Sequence, residues 1–129
     1  MTNPTSAPAS VSETLAVFAT REKANEGVDV PLPLPTGELS GVTLRVLHRD
    51  SDAYRKAMAT FRRDVARGGA VMSDEDADLR LVASCVAGWN LPNPFSVEDV
   101  VALFKASPYI FDLVEAKVYS GKDFFGSKA

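Results

Sequence analysis

Few residues in this chain have the chemistry for catalysis or ligation: one histidine, His48, one cysteine, Cys85, the acidic run Asp74, Glu75, Asp76 and Asp78, and the basic set Arg55, Lys56, Arg62, Arg63 and Arg67. His48 precedes Asp50 and Asp52 at a spacing that could offer metal ligands. Structural metal sites assemble four protein ligands as a rule, and Asp50, Ser51 and Asp52 are all helix-capping types. A strand-end histidine followed by helix caps explains the spacing without a metal. The acidic run lacks the Asp-x-Asp-x-Asp-Gly pattern and distant glutamate of a calcium loop, and it falls where a helix dipole favours negative charge. Cys85 belongs to an apolar stripe, where a cysteine acts as a small hydrophobe, and nothing places a base beside it. Gly68-Gly69 is not followed by the Gly-Lys-Ser/Thr of a phosphate loop. No catalytic residue, metal or cofactor is expected, and the chain does not read as an enzyme.

The basic set spaces along one side of a helical stretch. It lacks interleaved aromatic side chains, no groove-binding motif surrounds it, and the net charge is −3 with a pI near 5.1. These features argue against nucleic acid. The set reads as a solvated helix face able to pair with the acidic run of the next helix, with contact with a partner protein as the alternative.

The elements that must position these residues are those of one small domain. At 129 residues, 46% of them hydrophobic and 24% charged, the chain can bury a core but not two. One cysteine permits no internal disulfide and fits a reducing compartment. There is no apolar run of bilayer length and no secretory leader. Cytoplasm is the default location.

Residues 1–11 are dominated by Thr, Ser, Pro, Ala and Asn and read as a flexible arm. Ser12 is expected to cap a short helix with Leu15, Ala16, Phe18 and Ala19 on its apolar side, ending near Lys23 before Asn25 and Gly27. Val28, Val30, Leu32 and Leu34 alternate with Pro31 and Pro33, the pattern of an edge strand. Val42, Leu44 and Val46 alternate after the Pro35-Thr36-Gly37 turn, giving a β-hairpin over about 28–48.

A helix follows with Tyr54, Ala57, Met58, Phe61 and Val65 at helical spacing, stopped by Gly68-Gly69. Ser73 and Asp76 form a capping box for a second helix carrying Leu79, Val82, Cys85, Val86 and Trp89. This is the most apolar stretch, so a central position in the core is expected. Pro92 and Pro94 make a rigid corner. Ser96 with Asp99 caps a third helix, with Val97, Val100, Val101 and Phe104 inward. After a two-residue break, Ser107-Pro108 opens a fourth, with Ile110, Phe111, Val114 and Val118 inward, and Gly121 ends it. The fold class is mainly α with a small β-hairpin near the N-terminus, about four main helices packing as a compact bundle over 12–121, with a short tail at 122–129.

Two aromatic groups stay open at this level. Phe124 and Phe125 either fold back or dock on another subunit, since free exposure of both would be an unusual apolar patch. Trp89 and Phe95 either anchor the corner in the core or form part of a groove for an apolar helix.

Four stretches in this order resemble the tail assembly chaperones of long-tailed bacteriophages: TREKANEGVDVPLPLPTGELSGVTLRV, DSDAYRKAMATFRR, LVASCVAGWNLP and FSVEDVVALFKASPYIFDLVEAKVYSGKDFF. They cover about Thr20 to Phe125 and are similar to that family's Pro/Gly-punctuated strand pair, its Asp-Ser-Asp-aromatic helix start, its apolar helix ending in Gly-Trp, and its closing helices with an aromatic tail. The resemblance implies a non-enzymatic protein of virion morphogenesis, the short, non-frameshifted form of the family. It would bind the tape measure protein and keep it soluble and extended during tail tube assembly. A longer frameshifted form would bring in the tail tube protein, and self-association would place several copies along one partner. The site would be the cytoplasm of the infected bacterium, with the chaperone absent from the mature virion. Candidate partner-binding residues are Trp89, Phe95, Phe104, Phe111, Phe124 and Phe125, with the basic set Arg55, Lys56, Arg62, Arg63 and Arg67 as a candidate electrostatic face. The competing readings are a structural virion subunit such as a head-tail joining protein, and a small nucleic-acid-binding regulator.

Overall fold

Gly27 turns the chain from helix into sheet. Its φ of +77° is accessible to glycine without strain, and a Cβ there would sit 2.6 Å from the Val46 carbonyl oxygen. The computed structural model in which this is seen describes residues 10–68 and 73–126. Before Gly27 lies helix α2 (Arg21–Glu26), and after it strand β1 (Val28–Pro33), which pairs antiparallel with β2 (Leu39–Val46) in the register Val28↔Val46 and Val30↔Leu44. The hairpin is where the alternation of Val28, Val30, Leu32, Val42, Leu44 and Val46 put it. Pro31 and Pro33 are tolerated because β1 is an edge strand.

The sheet has a third strand that the residue pattern did not disclose. The second long helix, α4 (Asp74–Ser84), stops before Cys85, and Val86–Trp89 forms β3, paired antiparallel with the free edge of β2 through Leu44↔Trp89 and Val46↔Val86. The expectation of a helix through Trp89 is corrected. Val82, Cys85, Val86 and Trp89 fit helical spacing, but four residues are too few to separate the two periods, and pairing with β2 decides. The Leu47 N–H donates to the Cys85 carbonyl at 2.7 Å and the Asn90 N–H to that of Thr43 at 3.2 Å, extending the ladder at both ends. A third strand also relieves the marginal stability of a lone hairpin.

Further along the chain are α3 (Asp52–Ala66), α5 (Val97–Ala106), α6 (Pro108–Val118) and a short α7 (Gly121–Phe125). Ser51, Ser73 and Ser96 cap α3, α4 and α5 by accepting the N–H of Tyr54, Asp76 and Asp99. Pro108 opens α6 as expected, with Ser107 alone, not two residues, separating it from α5. Sheet and helices share one apolar cluster: Val30, Leu44 and Val46 meet Val82 of α4, Val100 and Phe104 of α5, and Val114 and Val118 of α6. Helix α4 buries Ala77, Leu79, Leu81, Val82 and Ala83, the central position its composition implied. The fold is mainly helical with a three-stranded antiparallel sheet, whose β1-β2 hairpin lies near the N-terminus.

Two other helix boundaries also differ from expectation. Near the N-terminus the cap is Ser10, not Ser12. Ser10 and Glu13 form a capping box that opens α1 (Val11–Leu15), a 3₁₀ turn spans Ala16–Phe18, and α2 begins only at Arg21. Ala19 is extended, and the Thr20 hydroxyl donates to Asp50 at 2.7 Å, which anchors the chain and breaks the helix there. At the other end α6 closes at Val118, and Gly121 begins α7 instead of ending α6. Ser120 caps α7 through the Asp123 N–H, and Asp123 pairs with Lys117 at 3.2 Å. Most of the expected arm at 1–11, Gly69 of the expected stop and the last three tail residues lie outside the described residues.

Candidate functional site

The corner after β3 is built by Asn90 and Trp89. The Asn90 side chain acts as a surrogate peptide: its Oδ1 accepts the Thr43 N–H at 2.8 Å and its Nδ2 donates to the Gly41 carbonyl at 2.9 Å. This clamps the Pro92/Pro94 corner to β2. The Trp89 indole N–H donates to the Asn93 carbonyl at 2.9 Å, and its ring meets Phe95 edge to face with centroids 5.0 Å apart. Both rings are half-buried: they brace the corner, and Trp89 but not Phe95 also lines a groove.

That groove, of about 470 Å³, runs between the far end of the hairpin, the corner and the α5–α6 junction. Its walls are Leu32, Val42 and Leu44 from the sheet, Trp89, and Leu103 and Ile110 from the helices. Leu34, Leu91 and Tyr109 stand at its edge, exposed to 44%, 39% and 40%. Asp99 is the charged residue in the lining. The surface is concave and largely apolar, a shape able to accept apolar side chains. Residue types alone pointed to Trp89. They did not single out Leu34, Leu91 or Tyr109, whose role follows from where the hairpin end and the α6 start meet.

The other candidates lie elsewhere. Phe104 is 1% exposed and packs edge to face on the half-buried Phe111, so it offers no surface to a partner. Phe111 borders a second depression of about 440 Å³ that also includes Glu75, Asp76 and Asp78. Phe124 is buried and Phe125 half-buried, each edge-on to the His48 ring at 4.9 and 4.7 Å between centroids. The tail phenylalanines therefore fold back onto their own chain. The six aromatics do not form one surface.

His48 is buried, and its Nδ1 accepts the Asp50 N–H at 3.1 Å. Burial pushes its pKa below the usual histidine value, against the pull of the nearby Asp50 carboxylate, so the ring is neutral at pH 7. Among the described residues no cluster of three or more His, Cys, Asp and Glu side chains assembles. Cys85 is buried, and desolvation pushes its thiol up to about 12, a value incompatible with a nucleophile at neutral pH. The basic side chains Arg55, Lys56, Arg62 and Arg63 of α3 and Arg67 at its C-cap are exposed. Arg55 pairs with Asp50 at 3.1 Å, while Arg80 of α4 pairs with Glu98 at 3.1 Å. Among the described residues the anticipated pairing of the α3 basic face with the acidic start of α4 is not formed. No helix among them is long and apolar enough to cross a membrane.

A family model described as phage tail assembly chaperone matches residues 18–118, which contain the sheet, the corner and the groove. No curated protein and no solved structure matches the chain.

Proposed function

The chain belongs to the phage tail assembly chaperone family, and from that premise we propose that it binds the tape measure protein and keeps it soluble and extended while the tail tube assembles. The observation that carries this reading is the apolar groove bordered by Leu34, Leu91 and Tyr109. Its occupant is an amphipathic segment of the partner that inserts one or two large apolar side chains, spaced as on one face of a helix. Burying two such side chains contributes roughly 3–6 kcal/mol before the cost of association. One site is therefore weak, and a firm hold needs several copies acting along a long partner, each raising the effective concentration of the next.

On this reading the chaperone works in the host cytoplasm and leaves before the particle matures. The tail tube protein is a second partner, reached through a longer frameshifted form. The test is co-expression with the tape measure gene of the same genome. The tape measure should move from the insoluble to the soluble fraction with the wild-type chain and stay insoluble with Leu91→Asp, whose added charge would be desolvated in the groove. A tape measure equally insoluble with and without the wild-type chain would sink the proposal, and so would equal rescue by a folded Leu91→Asp variant.

A further inference from the structure

Ahead of the anchored Thr20, the chain carries a second apolar surface. Val11, Val17 and Phe18 are exposed to 74%, 80% and 72%, Leu15 to 52%, and neither α1 nor the 3₁₀ turn behind it buries any residue. Val11, Leu15 and Phe18 follow at intervals of four and three, which places them on one side of a helical segment. A surface of this kind marks a contact site. Val11, Leu15 and Val17 also precede the span that the family model matches.

We propose that this segment docks in the groove of a second copy of the chain, head to tail, and covers that groove until a tape measure segment displaces it. Only the displacement step rests on the function proposed above.

Three observations point to another copy as the host. The first is reach. Thr20 is held by Asp50 and Arg21 pairs with Asp52, so the segment leaves the fold beside the start of α3. That is the end of the sheet where Val28 pairs with Val46, whereas the groove lies at Leu32–Leu34. The run of β1 between these ends is about 17 Å. Phe18 is separated from the anchored Thr20 by Ala19 alone and has about 7 Å of chain to move on, so it does not reach its own groove.

The second is complementarity. From Val11 to Ala19 the one charged side chain is Glu13, and its carboxylate is engaged by the Ser10 N–H at 2.9 Å. The apolar side of the segment thus meets an apolar groove without bringing a charge into it. The third is size. The exposed side chains of the segment present roughly 400–500 Å² of apolar surface. The groove offers less surface than that, so the contact falls short of a standard stable interface. The chain should be monomeric when dilute and associate where copies are crowded, as along a shared partner. Segment and groove are different patches, so the contact is heterologous and propagates as an open row instead of closing into a two-fold dimer.

The test uses full-length chains and a short bismaleimide cross-linker, to which the buried, high-pKa Cys85 is inert. Phe18→Cys and Leu91→Cys are made as separate variants, both at exposed positions, with Val17→Cys as a second probe of the segment. Cross-linked dimer is expected in the mixture of Phe18→Cys with Leu91→Cys at high protein concentration, and in neither variant alone. No dimer in the mixture, or equal dimer in all three samples, overturns the proposal. So does a chain carrying both substitutions that cross-links internally as a dilute monomer. A cross-link accompanied by an insoluble tape measure removes the function proposed above and leaves this contact standing; a soluble tape measure without the cross-link does the reverse.

Discussion

The Tyr109 hydroxyl donates to the Pro33 carbonyl at 2.8 Å, tying the first turn of α6 to the end of β1 across one side of the groove. Pro33 is the last residue of an edge strand, at a point where the ladder to β2 shifts register. The bond therefore fixes the spacing between two walls that nothing local determines. Tyr109→Phe keeps the ring and removes the bond. It should lower stability by about 0.5–1.5 kcal/mol in denaturant titration and weaken tape measure capture. Unchanged stability and capture would show that the groove holds its shape without this tie.

Gly27 and Gly88 make a matched pair for the sheet. Gly27→Ala should cost at least about 1–3 kcal/mol, because the residue must hold a positive φ while its Cβ meets the Val46 carbonyl at 2.6 Å. Gly88 lies in β3 at an ordinary φ with nothing within 4 Å of an added Cβ. Gly88→Ala should change stability by less than about 0.5 kcal/mol. Thermal melts of both variants check the contrast, and equal losses would contradict it.

This pair marks what the sequence discloses. Hairpin alternation, edge prolines and the serine caps at Ser73 and Ser96 depend on neighbours within a few residues, and they were legible, whereas Ser51 was one of three capping types in a row, Asp50, Ser51 and Asp52. The strand Val86–Trp89 was not, because its pairing partner lies some forty residues earlier in β2 and its own four residues fit either period. For the groove, Trp89 stood out by type. Leu34, Leu91 and Tyr109 did not, since an isolated leucine or tyrosine acquires meaning only when the sheet end and the α6 start are brought together. The fold-back of Phe124 and Phe125 depends on His48, more than seventy residues away, and on the Ser120 cap, a Ser-x-x-Asp signature that overlaps the helix-stop signal of Gly121.

His48 makes the stability of that fold-back depend on pH. Its pKa is lowered in the folded chain, burial being the main cause and the Asp50 carboxylate opposing it. The unfolded chain therefore binds more protons as pH falls below the ordinary value of 6.5, and stability declines from there toward the folded pKa. The lowered Asp50 and Asp52 carboxylates lose their contribution only as pH falls below the ordinary 3.8. Glu115, raised by burial from 4.5, acts in the opposite sense, since the folded state favours its protonated form. The difference between the wild-type chain and His48→Gln isolates the histidine. The wild-type melting temperature should fall more steeply between pH 7 and 5 than that of the variant, and parallel curves would remove His48 as the source.

Phe104 and Leu91 separate core from docking surface. Phe104 is 1% exposed inside the apolar cluster, and Leu91 is 39% exposed at the edge of the groove. Phe104→Ala leaves a cavity beneath α5 and should cost about 3–5 kcal/mol, so any loss of tape measure capture should accompany loss of fold. Leu91→Ala removes a partly exposed side chain and should cost less than about 1 kcal/mol while weakening capture of the tape measure by the folded chain. Melting temperature and pull-down yield, measured on the same preparations, distinguish the two. If Leu91→Ala leaves capture unchanged and a folded Phe104→Ala abolishes it, the partner is read through the α5–α6 packing and not through the groove.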